Sequence, residues 1–137
     1  MDNTYEESKV YTDYSNKRIL VVDDNKLNLK VALRFMANYK FQTDEAYSGE
    51  ECLTKIKNGE KYDIIFMDIM MPNMSGVETL HELEKLPGFN TPVVVALTAD
   101  AVDGAKERYL REGFVEYISK PIVRDHLDEV VHKVLDK

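Results

Sequence analysis

Five short strand-like segments, separated by stretches with helical spacing, constrain this chain more than any other feature. Ile19–Val22, Phe41–Tyr47, Ile64–Met67, Val93–Leu97 and Phe114–Ile118 read as strands, and most are rich in β-branched residues. Continuous apolar runs such as Ile19–Val22, Ile64–Met67 and Val93–Leu97 are buried on both faces of a sheet. The segments 25–39, 48–57, 76–85, 101–111 and 124–135 carry apolar residues at helical intervals, as with Leu127, Val130, Val131 and Val134 in the last. Such spacing gives an amphipathic helix. Ser48 with Glu51 three residues on predicts a capping box, and Asn58-Gly59 a stop.

Five alternations of strand and helix require a parallel sheet covered on both faces and joined by right-handed crossovers. The expected fold is α/β: a flavodoxin-like doubly wound (βα)5 sandwich with a five-stranded parallel sheet of order 2-1-3-4-5. A length of 137 residues suits one domain, and 44% hydrophobic residues suffice for its core. The net charge of -7 argues against a nucleic-acid binder working through a basic face. Cys52 stands alone, so an internal disulfide and a Cys/His zinc site are both excluded. No run is long enough to span a membrane, and no apolar signal region opens the chain. The expected compartment is the cytoplasm, or the cytosolic part of a membrane-anchored protein. Residues 1–16 are polar, with four acids against Lys9, and read as a disordered or loosely attached leader or linker.

Ligands of such a sheet bind beyond the carboxyl ends of its strands. Asp23 and Asp24 follow the first strand, Asp68 the third, Thr98 the fourth and Lys120 the fifth. Three carboxylates at one edge repel each other, and a hard divalent cation with oxygen ligands, such as Mg²⁺, relieves this. Asp68 stands between Ile-Ile-Phe-Met and Ile-Met-Met-Pro, at the rim of a dry sheet. An ionised carboxylate there can attack phosphorus and form an aspartyl phosphate without a base. Lys120, the Thr98 hydroxyl and the backbone N–H of Ala99 are candidate partners for the phosphoryl oxygens.

These motifs together resemble the response-regulator receiver (CheY-like) family over residues 17–137. They are Val-Val-Asp-Asp-Asn (21–25), Met-Asp-Ile-Met-Met-Pro-Asn-Met-Ser-Gly (67–76), Leu-Thr-Ala (97–99) and Ser-Lys-Pro (119–121). Thr98 follows Asp68 by 30 positions and Lys120 follows Thr98 by 22, intervals that also match. The resemblance implies that Asp23 and Asp24 hold Mg²⁺ (or Mn²⁺), with Asp68 and the backbone carbonyl of Met70 as further ligands. It implies that Asp68 is the phosphoacceptor, and that Thr98 and Lys120 contact the phosphoryl group. It further implies a cis Lys120-Pro121 bond, a glycine role for Gly76, and a switch in which Tyr117 follows Thr98. A methionine at position 70 cannot hold a hydrolytic water, so slow-to-moderate dephosphorylation is expected.

The implied partners are a histidine kinase or a histidine phosphotransfer domain, with no nucleic acid and no membrane insertion by this segment. Apolar positions on the fourth and fifth helices suit a phosphorylation-dependent dimer or a kinase contact equally well. The stretch 96–121 resembles the C-terminal receiver of hybrid sensor histidine kinases. The chain is expected to be a signalling domain and not an enzyme in its own right. A haloacid-dehalogenase-type phosphatase would need an acid where Met70 stands. A flavodoxin-like flavin carrier would need a phosphate loop where Asp23-Asp24-Asn25 stands. A scaffold with a dead site is opposed by the intact acidic set.

Overall fold

A computed structural model describes residues 11–89, 93–99 and 102–136. Its elements are β1 (Arg18–Val22), α1 (Lys26–Ala37), β2 (Gln42–Ala46), α2 (Gly49–Lys57), β3 (Ile64–Asp68), α3 (Gly76–Glu84), β4 (Val94–Thr98), α4 (Ala105–Glu112), β5 (Glu116–Ser119) and α5 (Arg124–Leu135). The strands form one sheet of order β2-β1-β3-β4-β5, with every pair parallel. This is the flavodoxin-like arrangement that the sequence predicts. Among the described residues no helix is long and apolar enough to cross a membrane.

Alternation along the strands divides the core in two. Ile19, Val21 and Phe66 face Leu29, Met36, Leu127 and Val131 on one side. Leu20, Val22, Ile65 and Met67 face Leu53, Leu80, Leu83 and Tyr109 on the other. Each such side chain, fully buried, contributes about 1.5–3 kcal/mol. β3 and β4 are buried throughout, whereas β2 (Gln-Thr-Asp-Glu-Ala) is an edge strand with its first residues exposed.

Caps set the helix starts. Asn25 accepts a hydrogen bond from the Asn28 amide at the head of α1, and Ser48 from the Glu51 amide at the head of α2. Ser75 and Glu78 form a full capping box at α3. Two starts depart from the sequence-based expectation by two or more residues. α4 begins at Ala105, because Gly104 is left-handed at φ 87° and Val102–Gly104 form a turn; residues 100 and 101 lie outside the described residues. β5 begins at Glu116, because Phe114 turns inward and packs edge-on against Tyr109, ring centroids 6.1 Å apart.

Residues 1–10 of the expected leader lie outside the described residues. Residues 11–16 are not loose. Tyr14 is buried, its ring is stacked on Phe41, and its hydroxyl donates to Asp136 at 2.9 Å. Tyr11 packs edge-on against Tyr39. Two aromatics in a polar stretch have no period to announce them, but each offers a large apolar face to bury.

β5 also carries a buried acid. Glu116 is hydrogen-bonded by Lys133 of α5 and lies 3.9 Å from Lys106 of α4. Burial alone would raise its pKa, but the Lys133 hydrogen bond and the two lysine charges outweigh it and hold the carboxyl below its ordinary value of 4.5. A carboxyl lowered in the folded state contributes stability above its unfolded value, lost as pH falls through the folded value. Glu116→Gln is therefore expected to destabilise the fold at pH 7 and to flatten the loss of stability below about pH 4.5. Urea midpoints between pH 3 and 7 check this; parallel pH profiles for the two proteins would contradict it.

Candidate functional site

β1, β3, β4 and β5 end at the same edge of the sheet, and each ends next to a polar side chain. Asp23 and Asp24 directly follow β1, Asp68 and Thr98 are the last residues of β3 and β4, and Lys120 directly follows β5. Parallel registry brings them together: Asp68 pairs with Leu97, and Thr98 with Ser119. One oxygen from each of Asp23, Asp24 and Asp68 lies within 4.8 Å of the others. Asp23 and Asp68 are buried, while Asp24 is exposed.

Lys120 braces this cluster. Its Nζ donates to Asp23 Oδ2 and to Asp68 Oδ1, both at 3.0 Å. Burial would lower the Lys120 pKa, but the two carboxylates outweigh it and raise it. Burial raises the Asp68 pKa, the Lys120 bond works against this, and the charge of Asp23 adds to the rise; the net shift is upward. One ammonium shared between two buried carboxylates gains from both, while neither acid has it alone. The Lys120-Pro121 bond is cis, as the resemblance implies. Asp23 is fixed further by accepting the Asn25 amide at 2.9 Å.

Asp68 also has a close backbone neighbour. Gly76, the first residue of α3, donates its amide to Ile69 O at 2.9 Å. A Cβ at Gly76 would lie 2.4 Å from Asp68 O. Glycine is required there by this close approach. The Met70 backbone amide works with Lys120 against the rise of the Asp68 pKa, and Met70 stands 76% exposed. Ala99 is exposed at the rim.

Tyr117 lies outside the cluster. It is half-buried, its ring 6.3 Å from Tyr109 on one side and 6.3 Å from His126 on the other. The structure adds a residue that the sequence reading missed. Tyr109 of α4 is buried, and its hydroxyl lies 3.3 Å from the Thr98 hydroxyl. The only sequence signal for it is a tyrosine on the apolar face of a short, otherwise charged helix.

The response regulator receiver domain family matches residues 19–132. The chain belongs to that family. As a receiver domain it is a module of two-component phosphorelay signalling. It is 38% identical over 128 residues to "Histidine protein kinase 1" of Candida albicans, covering 85% of this chain but 5% of the kinase. It spans 4% to 14% of the length of several curated histidine kinases that it matches. In fold it is similar to the receiver domain of a sensor histidine kinase from Pseudomonas aeruginosa, solved with a magnesium ion coordinated in its active site cleft. That likeness has a TM-score of 0.78 and 25% identity, over 88% of this chain and 98% of the other. It is also similar to a Saccharomyces cerevisiae receiver domain, that of Ssk1, solved with the histidine phosphotransfer protein Ypd1. Here the TM-score is 0.74 at 26% identity, over 91% and 90% of the two chains.

Proposed function

We propose that this receiver domain accepts a phosphoryl group from a phosphohistidine onto Asp68. The observation that carries this is the buried Asp68 carboxylate, bridged by Lys120 to Asp23 at the carboxyl edge of the sheet. One Asp68 oxygen attacks phosphorus, the P–N bond of the donor breaks, and its electron pair stays with the imidazole. Lys120 then turns from the carboxylates towards the phosphoryl oxygens, where the added negative charge draws it. The Thr98 hydroxyl and the Ala99 amide donate to the same oxygens, and Tyr117 follows the displacement of Thr98.

The donor set fits a hard divalent cation: three carboxylates with oxygens inside 4.8 Å, two of them buried, and an excess of acid over the single ammonium. Asp23, Asp24 and Asp68, with the Met70 carbonyl, would hold Mg²⁺ or Mn²⁺. When bound, the cation offsets charge on the transferring oxygens. Met70 offers no hydrogen bond to a hydrolytic water, which supports a slow-to-moderate loss of the phosphoryl group.

The donor is a histidine kinase or a histidine phosphotransfer protein. Leu27 and Val31, one turn apart on α1, are exposed, as are Met70 and Val123 in the loops after β3 and β5. These apolar groups rim the acidic site and suit a partner that presents a histidine there. The domain proper spans 17–137, with 11–16 laid against it, and its parent is a cytoplasmic or membrane-anchored hybrid kinase.

Transfer from a ³²P-labelled histidine phosphotransfer protein tests the proposal. Label is expected to reach the wild type with Mg²⁺ present, and neither Asp68→Asn nor a chelator-treated sample. Equal labelling of Asp68→Asn would refute the assignment.

A further inference from the structure

A polar contact across the buried interface between β4 and α4 joins the Thr98 and Tyr109 hydroxyls. Thr98 is 1% exposed and Tyr109 5%, with the oxygens 3.3 Å apart. We infer that Tyr109 is a positioning residue of the switch: its hydroxyl holds the Thr98 hydroxyl in the resting arrangement and gives it up when the phosphoryl group forms. This rests on the phosphoacceptor reading of Asp68.

A threonine hydroxyl has one hydrogen to donate and rotates as a unit about its Cα–Cβ bond. Thr98 ends β4 beside the end of β3, where Asp68 stands. Movement of its oxygen towards a phosphoryl group on Asp68 lengthens a contact to Tyr109 that is already at the long end of the hydrogen-bond range. The Tyr109 hydroxyl, buried against Phe114 and the sheet, is then left short of a partner, which disfavours the switched state. The phosphoryl group and Tyr109 therefore compete for one hydroxyl.

The same ring carries the change outward. Tyr109 packs against Tyr117 at 6.3 Å and 32°, and Tyr117 meets His126 of α5 edge-on. Loss of the Thr98 bond frees the Tyr109 ring to shift, and Tyr117 shifts with it. Thr98, Tyr109 and Tyr117 thus connect the acidic site to the face formed by α4, β5 and α5.

Tyr109→Phe removes the hydroxyl and keeps the ring. Affinity for beryllofluoride with Mg²⁺ is expected to rise by about 2- to 10-fold, the range of one neutral hydrogen bond. The Thr98 methyl resonance of the unliganded variant is expected to move towards its beryllofluoride-bound position, a change that a merely packing role would not produce. In a Thr98→Ala background the same substitution is expected to leave affinity unchanged. Tyr109→Met, which fills the cavity without a hydroxyl, should act in the same direction and covers the case in which Tyr109→Phe does not fold. Equal or weaker binding by the variants, with an unmoved Thr98 methyl, would overturn the inference and leave the phosphoacceptor assignment standing. Absence of beryllofluoride binding by the wild type would overturn that assignment, and this inference with it.

Discussion

Lys120→Met is expected to slow phosphorylation of Asp68 by about 100-fold or more, the cost of removing one preorganised charge partner from a developing oxyanion. The same substitution should lower stability. Lys120 donates to Asp23 and Asp68 at 3.0 Å each, and both acids are buried. Removing one partner of a buried ion pair leaves charge uncompensated and costs about 3 kcal/mol. Part of that loss is relieved as Asp68, already raised in pKa by burial, takes up a proton more readily. The two losses separate under Mg²⁺. A divalent cation binds the more acidic variant site at least as well, so it should restore the urea midpoint while the rate of phosphorylation from acetyl phosphate stays low. Recovery of both together would mean that Lys120 only balances charge at rest.

Gly76→Val is expected to cost about 3 kcal/mol or more and to impair phosphorylation as well. A Cβ at this position would meet Asp68 O at 2.4 Å and Ile69 Cα at 2.9 Å. Both are backbone atoms of β3 and the turn after it, so no side chain can swing aside. α3 must retreat from the strand end, breaking the hydrogen bond from the Gly76 amide to Ile69 O and shifting Asp68, the proposed phosphoacceptor. Gly76→Ala should show the same defect to a smaller degree. A urea midpoint for Gly76→Val within experimental error of the wild type would show that the strand end yields without cost.

Much of this was legible in the sequence, because the signals were local. β1, β3 and β4 are unbroken apolar runs, and a run buried on both faces needs no partner to be recognised. The polar groups of the site stand out as the residues that end such runs, and parallel topology puts those ends at one edge. β2 was weaker, since Gln-Thr-Asp-Glu-Ala has no apolar face, yet Phe41 and the residues after Ala46 bracket it. What failed to show was tertiary. Tyr14 sits among polar residues, and its burial depends on Phe41, His132 and Asp136, far along the chain. The start of α4 turned on the left-handed backbone of Gly104, which helical spacing alone could not fix. The Thr98–Tyr109 bond joins a strand end to a helix face, and no spacing rule pairs them.

The most direct test is the intact mass of wild type and Asp68→Asn after incubation with acetyl phosphate and Mg²⁺. A single phosphoryl increment in the wild type, none in Asp68→Asn, and none with chelator is the predicted result. An increment of equal size in folded Asp68→Asn, or no increment in folded wild type with Mg²⁺ present, would contradict the assignment of Asp68 as the phosphoacceptor.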